Sequence, residues 1–349
     1  MSTVRIGTRL VGSGEPCFVA AEIGINHNGD LDLAHRLIEA AADTGVDAVK
    51  FQNYRTEDFI SDRSLTYEYV SQGATVVESQ YEMFKRYELF PAALSALREH
   101  CDRRGIIFFS TPSGEAGIAD LMRAGAPVLK NGSDCLVHLP LIRAMGRTGL
   151  PTILSAGMAT LAEIDDAVRV FREAGGKDLI LLHCTSSYPT PAADVHLRKI
   201  PLLATAFGCP AGFSDHSSGI VAAVGAVALG ACFIEKHFTL DKGLPGPDHR
   251  FSADPAELRD LVEAVRALEK SLGDPAIGPT PSEELGRRDF CVSCVAARDL
   301  PAGWEVFEVD VSIARPGTGL PPRALGWIIG RRLGRAVPTG KPFEPVDFA

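Results

Sequence analysis

Residues 211–237 read AGFSDHSSGIVAAVGAVALGACFIEKH. One short apolar run, Ala211–Ser214, stops at Ser214-Asp215-His216, and a second, Ala231–His237, stops at Glu235-Lys236-His237. Short, continuously apolar runs are the mark of parallel strands covered on both faces. The intervening apolar stretch, Ile220–Ile234, is too short to span a bilayer, and no membrane partner is expected.

Six more such runs lie upstream: Cys17–Glu22, Val46–Gln52, Ile106–Ser110, Pro127–Lys130, Thr152–Ser155 and Asp178–His183. Helix-like segments alternate with them at Leu31–Asp43, Pro91–Arg104, Leu161–Ala174 and Pro255–Leu272. Thr160 with Glu163 reads as a capping box, and Leu258, Leu261, Val262, Val265 and Leu268 recur at helical spacing. Eight strands alternating with helices predict an α/β fold, a (β/α)8 TIM barrel. An open doubly wound sheet fits less well, because no G-x-G-x-x-G follows the first strand. The span Tyr54–Leu89 is surplus to one βα unit and is expected to form an insertion over the catalytic face. Residues 1–16 are expected to form a hairpin under the barrel. Residues 273–288 are rich in Pro and Gly and read as a linker. It joins a barrel domain, 1–272, to a small, mostly β module, 289–349, with β-like runs at Cys291–Ala297, Val309–Ala314 and Arg335–Val337.

The 349 residues are 46% hydrophobic and carry a net charge of −9. With no basic run, they exclude a general nucleic-acid binder. Residues 287–349 hold 9 basic and 7 acidic residues against 26 and 37 in the remainder, a charge pattern that suits a cap over an anionic ligand. The N-terminus lacks a signal-peptide core and eight cysteines are dispersed, so a cytoplasmic protein with reduced thiols is expected. The lone Cys291-x-x-Cys294 reads as structural, since that spacing in a strand points the thiols to opposite faces.

Catalytic residues of a barrel sit at the C-terminal ends of its strands. Those ends carry Glu22, Lys50 with Gln52, Ser110-Thr111, Lys130 with Ser133, Ser155, His183 with Thr185 to Tyr188, Ser214 to His216, and Glu235 with His237. Adjacent barrel strands lie about 4.8 Å apart, so His216 and His237 can reach one ion. Two imidazoles with open positions suit a catalytic divalent metal such as Mn²⁺ better than a closed zinc site. Lys50 and Lys130 with Thr111, Ser133, Ser155 and Ser214 suit a phosphate-bearing anion. Alternatively Glu22 and Glu235 are those lysines' structural partners. Leu244–His249 is a rigid loop carrying Asp248 and His249, and His27-Asn28-Gly29 lies on the first βα loop.

Several stretches together resemble the sialic acid synthase (N-acetylneuraminate synthase) family. They are Ala21–Gly29, Val49–Gln52, Phe109–Pro112, Leu154–Met158, Leu182–Pro189, Phe213–His216, Glu235–Thr239 and Pro245–Asp248. The C-terminal module, with Ala314–Gly319, resembles that family's antifreeze-like SAF domain. The resemblance implies condensation of phosphoenolpyruvate with an N-acyl amino sugar and water, with phosphate leaving by C–O cleavage. N-acetylmannosamine, giving N-acetylneuraminate, is the default acceptor. A 2,4-diacetamido-6-deoxy sugar, giving legionaminic or pseudaminic acid, is the alternative, and a non-enzymatic carbohydrate-binding protein is the reading of another class. The resemblance further implies Glu22, His216 and His237 as catalytic residues, with Mn²⁺ (Mg²⁺ or Co²⁺ as alternatives) on His216 and His237. It places phosphoenolpyruvate on Lys50, Thr111, Lys130, Ser133, Ser155, Ser186 and Ser214. It places the sugar on Glu22, Gln52, Tyr188, Asp248 and, across a domain-swapped homodimer, Arg315. One departure stands out: Lys130-Asn131-Gly132-Ser133-Asp134-Cys135 lacks the usual acidic residue after Ser-Gly, which puts a carboxylate near the sugar in question.

Overall fold

The computed structural model describes residues 3–349. The chain divides into two compact units, Met1–Gly273 and Asp274–Ala349. The first opens with an antiparallel hairpin, β1 (Thr3–Ile6) and β2 (Arg9–Gly12). Then come β3 (Phe18–Gly24), β4 (Ala48–Asn53), the hairpin β5 (Thr66–Ser71) and β6 (Ala74–Ser79), β7 (Ile107–Pro112), β8 (Leu129–Asn131), β9 (Thr152–Ser155), β10 (Leu179–His183), β11 (Ala211–Asp215) and β12 (Phe233–His237). Strands β3, β4 and β7 to β12 pair in parallel and close, β12 on β3, into an eight-stranded barrel.

The eight expected barrel strands all appear, with ends shifted by at most two residues. Helices Pro91–Arg104 and Pro255–Leu272 have the expected bounds. The Thr160–Glu163 capping box makes both of its bonds. Side chains alternate across each barrel strand. Phe18, Phe109, Ile153, Ile180, Leu182 and Phe233 fill the interior and meet Val4, Ile6 and Val11 of the N-terminal hairpin, which plugs the barrel as expected. The opposite parity packs against the helices in a larger core. The surplus segment after β4 forms the β5–β6 hairpin flanked by helices Thr56–Phe59 and Gln80–Arg86.

The second unit has its own core, including Cys294, Val306, Leu333 and Phe343. Its strands β13 (Ser293–Ala296) and β14 (Val311–Ala314) pair antiparallel. Arg335–Val337 is not a strand: Val337 makes a single bridge to Leu300. Part of the expected linker is helical, at Glu284–Phe290. Two buried carboxylates pin this unit. Asp310 accepts from Arg298 Nε (2.8 Å), Trp304 Nε1 (2.9 Å) and Phe307 N (3.0 Å). Asp347 accepts from Glu344 N (2.7 Å) and Lys341 Nζ (3.1 Å). Burial opposes both charges, but these donors win and hold both carboxyls below their usual range. Asp310→Ala is therefore expected to destabilise this unit by roughly 2–3 kcal/mol, because the Arg298, Trp304 and Phe307 donors lose a buried, charged partner. Denaturant unfolding followed by Trp304 fluorescence checks it.

The eight cysteines are free, Cys291 exposed and Cys294 buried, which fits a structural C-x-x-C. No helix among the described residues is long and apolar enough to cross a membrane.

Candidate active site

The parallel register assembles the barrel mouth. Glu22 pairs with Lys50, Gln52 with Thr111, Ser214 with Glu235, and His237 with Glu22. A β-bulge between Glu22 and Gly24 re-aims the end of β3. Gly24 has φ +56°, and a Cβ there would stand 3.1 Å from Glu22 Oε1, so a side chain would strain the backbone and crowd that carboxyl. All the expected barrel residues line one cavity of about 790 Å³: Glu22, Lys50, Gln52, Thr111, Lys130, Ser133, Ser155, Ser186, Tyr188, Ser214, His216, His237 and Asp248. Arg315 belongs to the second unit, its guanidinium 5.4 Å from the Phe290 ring.

Two lysines and two glutamates form the cavity floor. Lys50 Nζ lies 2.9 Å from Glu22 Oε1 and 3.7 Å from Glu235 Oε1, and donates to Thr111 Oγ1 at 3.1 Å. Lys130 Nζ donates to Ser155 Oγ at 2.6 Å and lies 3.9 Å from Glu235 Oε2. Burial works against every charge here. Lys130 and Lys50 outweigh it at Glu235 and lower its pKa, whereas at Glu22 burial wins and the pKa rises. Glu235 is thus the settled anion, and Glu22 is the carboxyl nearer to accepting a proton. Both readings of the lysines hold geometrically: they have carboxylate partners, and they face an open cavity. Glu22 Oε2 and Glu235 Oε2 are buried without a hydrogen-bond partner. Buried polar atoms are rarely left so unless something else binds them.

His216 and His237 face each other with ring centroids 5.6 Å apart. His216 Nδ1 donates to Thr185 O at 2.8 Å, which leaves Nε2 as the bare nitrogen. Ser214 Oγ, 3.3 Å from that Nε2, gives its proton to Glu235 at 2.9 Å. His237 Nδ1 is buried, has no hydrogen-bond partner, and lies 3.8 Å from Asp248 Oδ2. Burial pushes both imidazole pKa values down. Neutral imidazoles with free nitrogens are metal ligands, and this donor set fits a divalent ion whose other positions come from substrate and water. Among the described residues no three His, Cys, Asp or Glu side chains converge to enclose an ion alone. Burial, aided by Glu22, pushes the Asp248 carboxyl up to about 7.

His183 is not part of this mouth. Its Nε2 donates to Val195 O at 2.6 Å and its ring stacks on Phe213, because in β10 it is Leu182 that points inward. By the same alternation Lys236 turns away from Glu235 and His237 and pairs with Asp215 at 2.8 Å. After β8 both Asp134 and Cys135 line the cavity, so a carboxylate does reach that wall, one place along from where the resemblance looks for it. The wall supplied by the insertion was not foreseen residue by residue: Tyr54, Phe59, Tyr67, Gln80, Met83 and Phe84. The aromatic density of residues 54–87 was the available signal.

The NeuB family model matches residues 37–276, well over half of the chain. The chain belongs to the NeuB family. The SAF domain model matches residues 292–349, as expected of the C-terminal module. This NeuB protein is 39% identical to the N,N'-diacetyllegionaminic acid synthase of Legionella pneumophila over 96% of this chain and 95% of that protein. It is 32% identical to the human N-acetylneuraminate-9-phosphate synthase over 93% and 90%. Among solved structures, an N-acetylneuraminic acid (sialic acid) synthetase from Leptospira borgpetersenii superposes with a TM-score of 0.74 at 35% identity, over 82% of this chain and 95% of that one. The NeuB chain is thus an enzyme of the synthase type, and the non-enzymatic reading falls away.

Proposed function

We propose that this NeuB enzyme joins phosphoenolpyruvate to the open-chain aldehyde of a 2,4-diacetamido-6-deoxy sugar. The observation that carries the reading is the single cavity uniting two lysines, two facing imidazoles and an acid pair beneath an aromatic wall.

Lys50 and Lys130, with the hydroxyls of Thr111, Ser133, Ser155, Ser186 and Ser214, hold the phosphate and carboxylate of the donor. His216 and His237 would hold Mn²⁺, or Mg²⁺ or Co²⁺ in its place, which supplies Lewis-acid polarisation of the sugar aldehyde. Gln52, Tyr188 and Asp248 orient the sugar so that carbon 3 of the donor meets the aldehyde carbon, and the new C–C bond forms there. The positive charge left at carbon 2 takes up water. Glu22 receives that water's proton and returns one to the aldehyde oxygen, which becomes a hydroxyl. The hydroxyl added at carbon 2 then gives up its proton as its oxygen becomes the ketone and phosphate leaves with the broken C–O bond.

Acceptor choice rests on the insertion. The rings of Tyr54, Phe59 and Phe84 pack edge-on at 5.2–5.5 Å and, with Tyr67 and Met83, offer apolar surface. Lys50 and Lys130 are the only Lys or Arg in the cavity lining among the described residues, and the donor engages both. Such a wall favours acetamido and 6-deoxy methyl groups over a terminal hydroxyl or phosphate, and the likeness to the Legionella synthase agrees. Burying such methyl groups in an apolar pocket is worth about 10- to 200-fold. Phosphate release from phosphoenolpyruvate and Mn²⁺ is thus expected to show kcat/KM at least about ten-fold higher for the diacetamido sugar than for N-acetylmannosamine, with N-acetylmannosamine 6-phosphate the poorest. A preference for N-acetylmannosamine would overturn this acceptor assignment. The homodimer that the resemblance implies belongs to the same proposal, and sedimentation velocity reads it.

A further inference from the structure

Asp248 lies on a Pro/Gly loop, Leu244–His249, that has no regular secondary structure. Two bonded chains tie it to the loop after β3. On one side, Asn28 Nδ2 donates to Pro245 O at 2.8 Å, which turns Asn28 Oδ1 toward His249 Nε2, 3.3 Å away. His249 is fully buried, and burial pushes its pKa down to about 4, so the ring carries one proton. Thr239 Oγ1 lies 2.7 Å from His249 Nδ1 and accepts from Asp241 N at 3.2 Å. Asn28 Oδ1 can only accept, so the ring proton sits on Nε2 and points at Asn28, and Nδ1 faces the Thr239 hydroxyl, which also lies 3.1 Å from Asp241 O. On the other side, the carbonyl of Asp248 accepts from Ser252 Oγ at 2.7 Å. Ser252 Oγ accepts from Asn26 Nδ2 at 2.9 Å, and that amide also donates to Phe238 O at 2.9 Å. Asn28 holds φ +52°, a left-handed conformation that asparagine tolerates better than most residues.

We infer that Asn26, Asn28 and His249 are positioning residues that fix Asp248 for the acceptor, a role resting on the proposed function. None of the three lines the cavity, so each acts through Asp248. They bracket its backbone from both sides and leave its carboxyl free toward the mouth.

The test is Asn28→Gly, which removes the amide and keeps the left-handed backbone, beside Asn28→Asp, which keeps the oxygen facing His249. Hydrogen–deuterium exchange over residues 243–252 and the separate KM values for acceptor and phosphoenolpyruvate are read on each. In Asn28→Gly, exchange in that segment is expected to quicken about ten-fold and acceptor KM to rise about ten-fold, with donor KM within about two-fold. Asn28→Asp is expected to fall between. Equal rises in both KM values, faster exchange with acceptor KM unchanged, or no change in either would overturn the inference. No turnover by the unsubstituted chain with any acceptor would overturn the proposed function and the positioning role with it, while exchange would still decide whether the clamp exists.

Discussion

His237→Ala is expected to lower phosphate release by roughly 10³-fold or more, the loss of several kcal/mol of transition-state stabilisation that a Lewis acid supplies. His237 has a buried, unpartnered Nδ1 3.8 Å from Asp248 Oδ2 and faces the free Nε2 of His216. One imidazole alone is a poor ligand set, so ion and activity should be lost together. The fold should survive, because the removed nitrogen had no hydrogen-bond partner to orphan. Titration calorimetry with Mn²⁺, melting and a coupled phosphate assay separate these effects. Chelator treatment of the unsubstituted enzyme should reproduce the loss, and Mn²⁺ should restore it. More than a tenth of the activity in a metal-free variant would remove the metal from the account.

Glu22→Gln is expected to lower kcat by about 10²- to 10⁴-fold, the usual contribution of a positioned acid–base group. The amide keeps the shape beside Gln52, whose Nε2 lies 3.1 Å from Glu22 Oε1, but it cannot receive a proton. Lys50 stays paired with Glu235 at 3.7 Å, so the buried ammonium is not stranded and donor affinity should change little. Rapid-quench turnover beside equilibrium binding of phosphoenolpyruvate reads the split. A loss confined to donor binding would make Glu22 an ion-pair partner of Lys50 instead.

Much of the barrel was legible because its strands are short and apolar throughout, and each stops at a polar residue that the C-terminal rim requires. Glu235 and His237 share a face by two-residue spacing, and the intervening Lys236 pairs with Asp215 outside. The same arithmetic puts His183 outward, but its parity needed the register, which only the closed barrel supplies. The aromatic wall was illegible for a different reason. The β5–β6 hairpin is anchored across the chain, by Gln72 Nε2 to Gly243 O at 3.1 Å and Gly246 N to Ser71 Oγ at 3.1 Å. Contacts between residues so far apart in sequence leave no local pattern. Arg335–Val337 has strand-like composition, yet it makes one bridge, because the turn-rich module offers it no continuous partner.

The central claim is condensation with C–O cleavage at this mouth. It is tested most directly with phosphoenolpyruvate carrying ¹⁸O at the bridging oxygen, incubated with the diacetamido sugar and Mn²⁺. The account predicts that the label appears in the released phosphate, and only when sugar and metal are both present. Label retained in the organic product, or phosphate released equally without sugar, would contradict it.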